Sequence, residues 1–66
     1  MDIIFNNHPQ QIDQASLQVM LNDLVGEKQQ GIAVAVNDNV VPRSQWEHYL
    51  LRQNDHVLVI KATPGG

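Results

Sequence analysis

The chain has 66 residues, enough for one domain, and it contains no cysteine. Disulfides, iron–sulfur clusters and thiolate zinc sites are thereby excluded, and a domain this short buries only about 60% of the surface its unfolded chain exposes, too little core to hollow out for a large pocket. Seven Asp and Glu against four Lys and Arg give a formal net charge of −3, and the basic residues Lys28, Arg43, Arg52 and Lys61 are scattered, so no phosphate-tracking stripe exists and no nucleic acid is expected as a partner.

No apolar run approaches the roughly 20 residues of a membrane-spanning helix. The N-terminus, Met1-Asp2-Ile3-Ile4-Phe5, lacks the basic region of a secretion signal. The expectation is a soluble cytoplasmic protein with no membrane partner, held together by hydrophobic packing.

In chain order, Asp2-Ile3-Ile4-Phe5-Asn6 is β-branched and aromatic and predicts a strand. Asn6-Asn7-His8-Pro9 reads as a tight turn, because asparagine tolerates positive φ. Gln10-Gln11-Ile12-Asp13 then returns as a polar edge strand. From Ser16 the period changes. Leu17, Met20, Leu21, Leu24 and Val25 share one helical face, with Ser16 as N-cap and Gly26 as the left-handed stop. About ten residues make a marginal helix alone, so this one needs a sheet to pack on.

Ile32-Ala33-Val34-Ala35-Val36 is a continuous apolar run and predicts a strand buried on both faces. Asn37-Asp38-Asn39 is a turn, and Val40-Val41 a short strand that Pro42 interrupts. Ser44-Gln45-Trp46-Glu47 has the form of a capping box and predicts a short helical turn. Trp46 and Tyr49 are read as a plug over the core rather than a binding hot spot. Asn54-Asp55 turns into a last strand, His56 to Ile60, which should pair in parallel with Ile3 to Phe5. The resulting fold class is α+β, a mixed sheet wrapped over one main helix in the β-grasp, ubiquitin-like arrangement. Its domain spans 1–61, and a flexible tail spans 62–66.

Candidates for catalysis are thin. His8, His48 and His56 lie in separate segments with no metal-ligand spacing, and are read as surface histidines. Asp38 and Asp55 sit in turn sequences where aspartate usually bonds its own backbone. Ser16 and Ser44 read as caps rather than nucleophiles, and Arg43 either meets a partner anion or bonds local carbonyls. Neither an enzyme nor a metal site is expected.

The tail Ala62-Thr63-Pro64-Gly65-Gly66 has no structural explanation. Two glycines let a backbone thread a narrow channel without steric conflict. Pro64 stiffens the approach by fixing its φ, and five extended residues carry the final carboxylate about 15 Å. The expected working group is the Gly66 carboxylate, with Thr63, Pro64 and Gly65 held by a partner and an apolar or mixed patch on the exposed sheet face as the handle.

Val34-Ala35-Val36-Asn37, then Val41-Pro42-Arg43-Ser44-x-Trp46, then Asp55-x-Val57, and finally Gly65-Gly66 together resemble the ThiS family of β-grasp sulfur carriers. The likeness covers essentially the whole chain. It departs from the family where Asn54 stands in place of a usual glycine and where Pro64 directly precedes the diglycine. The resemblance implies a relay without a bound cofactor. A partner adenylyltransferase of the ubiquitin-activating type spends ATP on Gly66, a persulfide donor replaces AMP to leave a thiocarboxylate, and thiazole synthase takes the sulfur for thiamine. The alternatives are a ubiquitin-like modifier joined to other proteins, a molybdopterin-type sulfur carrier, and a plain interaction module that uses no terminal chemistry.

Overall fold

The computed structural model describes residues 1–27 and 29–61. Five strands, β1 (Asp2–Phe5), β2 (His8–Gln11), β3 (Ile32–Val36), β4 (Asn39–Val40) and β5 (His56–Lys61), form one sheet in the order β2-β1-β5-β3-β4. Helix α1 (Leu17–Leu24) and a 3₁₀ helix (Arg43–His48) complete the described elements. β1 and β5 are parallel neighbours, while β1–β2, β3–β4 and β3–β5 are antiparallel. The sheet is mixed and lies over one main helix, the β-grasp arrangement read from the sequence.

Both hairpin turns follow from asparagine and aspartate chemistry. Asn6 and Asn7 have φ of 48° and 69°, Asn37 and Asp38 have 51° and 69°. Two consecutive left-handed residues make the turn whose twist matches that of the strands it joins. Phe5 therefore pairs with His8 and Val36 with Asn39. His8 and Pro9 belong to β2, not to the turn, and β2 ends at Gln11 rather than running on to Asp13. The proline is tolerated because Ile4 turns its N–H away from β2, bonding Asp55 O at 2.8 Å. The Ile4–Pro9 pair thus needs no hydrogen bond, and Pro9 faces an open edge. Ile12 still exchanges two bonds with Met1, at 2.7 and 2.8 Å, and its side chain enters the core.

Ser16 caps α1 through its Oγ, which accepts the Val19 N–H at 3.3 Å, and Gly26 follows the helix with φ of 77°. Leu17, Met20 and Leu21 face Ile3 of β1, Val34 and Val36 of β3 and Val57 of β5 in the core, with Leu24 and Val25 packed against it. No polar or charged side chain is buried among the described residues. Loop residue Asn54 has φ of 68°, the left-handed conformation expected of it.

Two further expectations need correction. Ser44 caps nothing: the 3₁₀ helix starts after Pro42, whose carbonyl accepts the Gln45 N–H at 2.9 Å, and no side chain caps it. Pro42 is itself the N-cap, in extended conformation with φ of −60° and ψ of 147°, so the helix starts two residues earlier than a Ser44 cap would place it. β3 is also buried on one face only. Val34 and Val36 point into the core, whereas Ala33 and Ala35 lie half-buried on the opposite side of the sheet. Alanine is apolar enough to extend a hydrophobic run and small enough to sit on an uncovered face.

Candidate functional site

The residues expected to do chemistry and to be gripped by a partner, Thr63, Pro64, Gly65 and Gly66, lie outside the described residues, as does the rest of the segment 62–66. What the structure places is the ground from which that segment departs. β5 delivers the chain to Lys61 between two different neighbours. On one side, β3 accompanies it to the end, with Ala33 opposite Ile60 and Ile32 opposite Lys61. On the other, the pairing with β1 ends at Phe5 and Val57.

Register also assembles a surface. Strand alternation sends Val57 and Val59 toward the core and His56, Leu58 and Ile60 to the outer face. Pairing sets Ala35 beside Leu58 and Val40, Ala33 beside Ile60, and Ile4 beside His56. The result is an apolar strip over four strands in which Leu58 is 43% exposed, Ile60 53% and Val40 74%. Soluble domains seldom leave a contiguous apolar area of this kind unless something docks there. Its polar margin carries His56, Asp38 and Asp2, and no Lys or Arg from the described outer-face positions of β1, β3, β4 and β5 before Lys61.

Of the residues weighed as catalytic, Asp55 is used structurally. Asp55 Oδ2 accepts the Arg52 N–H at 2.8 Å and its Oδ1 accepts Asn37 Nδ2 at 2.9 Å, while Asn37 Oδ1 accepts the His56 N–H at 2.9 Å. This clasp ties the β3–β4 turn to the start of β5. Asp38 lies exposed in that turn, and His8, His48 and His56 are exposed in three different places. Among the described residues no group of three His, Cys, Asp or Glu could hold a metal ion. No helix among them is long and apolar enough to cross a membrane.

The Val41-Pro42-Arg43-Ser44-x-Trp46 stretch resolves into one lock. Trp46 is 2% exposed and its Nε1–H donates to Val41 O at 2.8 Å. The Arg43 guanidinium lies 4.9 Å from the Trp46 ring centroid and donates to the Gln29 carbonyl. The plug reading of Trp46 holds, with Tyr49 half-buried beside it, and Arg43 bonds a local carbonyl.

Residues 3–66 match the model of the ThiS family. The chain belongs to the ThiS family. One relative is the sulfur carrier protein ThiS of Escherichia coli (strain K12), 30% identical over 66 residues that span all of both chains. Among solved structures, the crystal structure of the thiamine biosynthesis protein ThiS from Geobacter metallireducens superposes on this ThiS-family chain with a TM-score of 0.84. That match covers the whole of both chains at 22% identity, and it establishes the fold. Sequence reading expected an apolar or mixed patch on the exposed sheet face, but not which residues form it. Leu58, Ile60, Val40, Ala33, Ala35 and Ile4 are scattered along the chain, and only strand register collects them.

Proposed function

We propose that this chain is a carrier rather than an enzyme, a cytoplasmic sulfur carrier of the thiamine pathway that works through the carboxylate of Gly66. The observation that carries the reading is the family match over residues 3–66, which takes in Gly65 and Gly66. The relative from Escherichia coli, named a sulfur carrier, aligns with this chain end to end.

An α-carboxylate has a pKa near 3.5, so at neutral pH it is an anion able to attack the α-phosphorus of ATP, yet it is a poor acyl donor until activated. An adenylyltransferase of the ubiquitin-activating type catalyses that attack, releasing pyrophosphate and leaving an acyl-adenylate on Gly66. The terminal sulfur of a persulfide donor attacks the acyl carbon and AMP departs. A thiol then cleaves the acyl disulfide, and Gly66 retains a thiocarboxylate whose sulfur thiazole synthase consumes. The carrier itself binds no cofactor, since ATP is spent in the partner. Gly65 and Gly66 pass a narrow channel because they have no side chains, Thr63 and Pro64 line its entrance, and the apolar sheet face serves as the handle.

Intact-mass spectrometry after incubation with the adenylating partner, ATP and a persulfide source tests the chemistry. Replacement of one oxygen by sulfur at the C-terminus is expected, whereas covalent adducts with other proteins point to a modifier. Deleting Gly66 is expected to abolish growth without added thiamine. Growth of the truncated strain rules the carrier out.

A further inference from the structure

β1 and β5 part company before β5 is finished. Their register ends at Phe5 and Val57, but β5 continues to Lys61. The Asn6 N–H donates to Val57 O at 2.9 Å, and Asn6, with φ of 48°, then swings the chain away into the β1–β2 turn. Alternation along β5 points the backbone groups of Val57, Val59 and Lys61 toward β1, and those of Leu58 and Ile60 toward β3. The Val59 N–H is therefore the first group to lose its strand neighbour. It donates instead to Asn6 Oδ1 at 2.8 Å. Past that bond, the described residues hold β5 from the β3 side alone.

We propose that Asn6 is a positioning residue for the tail, fixing the direction in which the chain leaves β5 through its side-chain bond to Val59. The proposal rests on Gly66 being the reacting group. A five-residue extended segment is a lever of about 15 Å, so a swing of about 20° at its root moves its end by about 5 Å. Anchoring β5 at this level from both sides, through Val59 to Asn6 and through Leu58 and Ile60 to β3, removes that swing from what the partner must order before docking. Losing the anchor leaves Gly66 and its chemistry unchanged, so the effect belongs in binding.

Asn6 has two duties, and substitution separates them. Asn6→Gly keeps the positive φ without strain but removes the acceptor. Asn6→Asp keeps an acceptor at the same reach and tolerates the left-handed conformation. Asn7→Gly alters the same turn without touching Val59. The test measures steady-state pyrophosphate release by the adenylating partner with each full-length carrier as substrate, together with hydrogen exchange at the Val59 amide. With Asn6→Gly, KM for the carrier is expected to rise about five-fold at unchanged kcat, the scale of one hydrogen bond. Val59 exchange should quicken with it, and Asn6→Asp and Asn7→Gly should match the wild type. An unchanged KM in folded Asn6→Gly overturns the proposal, as does a fall in kcat alone. An unprotected Val59 amide in the wild type overturns it without any variant. A wild-type chain that is never adenylated refutes the Gly66 reading instead, and Val59 exchange would still show whether Asn6 holds β5.

Discussion

Trp46 combines burial, a hydrogen bond and a stacked cation in one side chain. It is fully buried, it donates its indole N–H to Val41 O, and Arg43 stacks on it while bonding the loop at Gln29. A domain of this size has roughly 3–10 kcal/mol in total. Truncating a buried tryptophan removes about 3–5 kcal/mol of that, so Trp46→Ala is expected to leave the chain largely unfolded at 25 °C by circular dichroism. Trp46→Phe keeps most of the volume but strands the Val41 carbonyl, a loss of about 1–3 kcal/mol. Urea unfolding should find it folded with a lowered midpoint. Arg43→Lys forfeits planar stacking on the ring and is expected to cost at most about 1 kcal/mol. A Trp46→Phe midpoint equal to that of the wild type would mean the indole bond contributes nothing.

At the scale of elements, the two turn residues of the β3–β4 hairpin look alike and are predicted to respond differently. Both turns place two residues at positive φ, where glycine is least strained. Asp38 is exposed in its turn, so Asp38→Gly is expected to be neutral or to stabilise by a few tenths of a kcal/mol, about the strain an aspartate bears there. Asn37→Gly relieves the same kind of strain but deletes both ends of the clasp to Asp55 and the His56 N–H. It should lower stability by about 1 kcal/mol in chemical denaturation. Equal effects at the two positions would show that the clasp is idle. These turns also mark how far local sequence reading reaches. The Asn-rich pairs, the 3.6-residue period of α1 and the apolar β5 declared themselves, because each is written in neighbouring residues. β2 began two residues earlier than its composition suggested, since Pro9 reads as a breaker unless one knows that Ile4 directs its N–H to the other side. Ser44 looked like a cap for a similar reason, as nothing in the stretch itself reveals that Pro42 has already started the helix.

For the whole molecule, the decisive question is what the outer sheet face is for. The expectation of a working tail was legible because Gly65-Gly66 is a local signal, though that segment lies outside the described residues. The apolar face was not, because strands from both ends of the chain contribute to it and the Ala33–Ala35 run looked fully buried. Register supplies the missing information, and it sets adjacent residues of β5 to opposite tasks. Val57 is 2% exposed in the core, while Leu58 is 43% exposed on the outer face. Placing a charge at Val57 buries it without a partner, so Val57→Asp should unfold a domain with so little stability to lose. At Leu58 the same charge stays in water and should shift stability by no more than about 0.5 kcal/mol. Yet it falls at the centre of the proposed handle, where a partner would have to desolvate it. Leu58→Asp is therefore expected to stay folded and to bind the adenylating partner at least about ten-fold more weakly in isothermal titration calorimetry, the scale of a hot-spot substitution. Val40→Asp, on the short edge strand β4, lies farther from the exit at Lys61 and should weaken binding less. Folded Leu58→Asp that binds as tightly as the wild type would leave the tail as the whole of the recognition and the sheet face without a role.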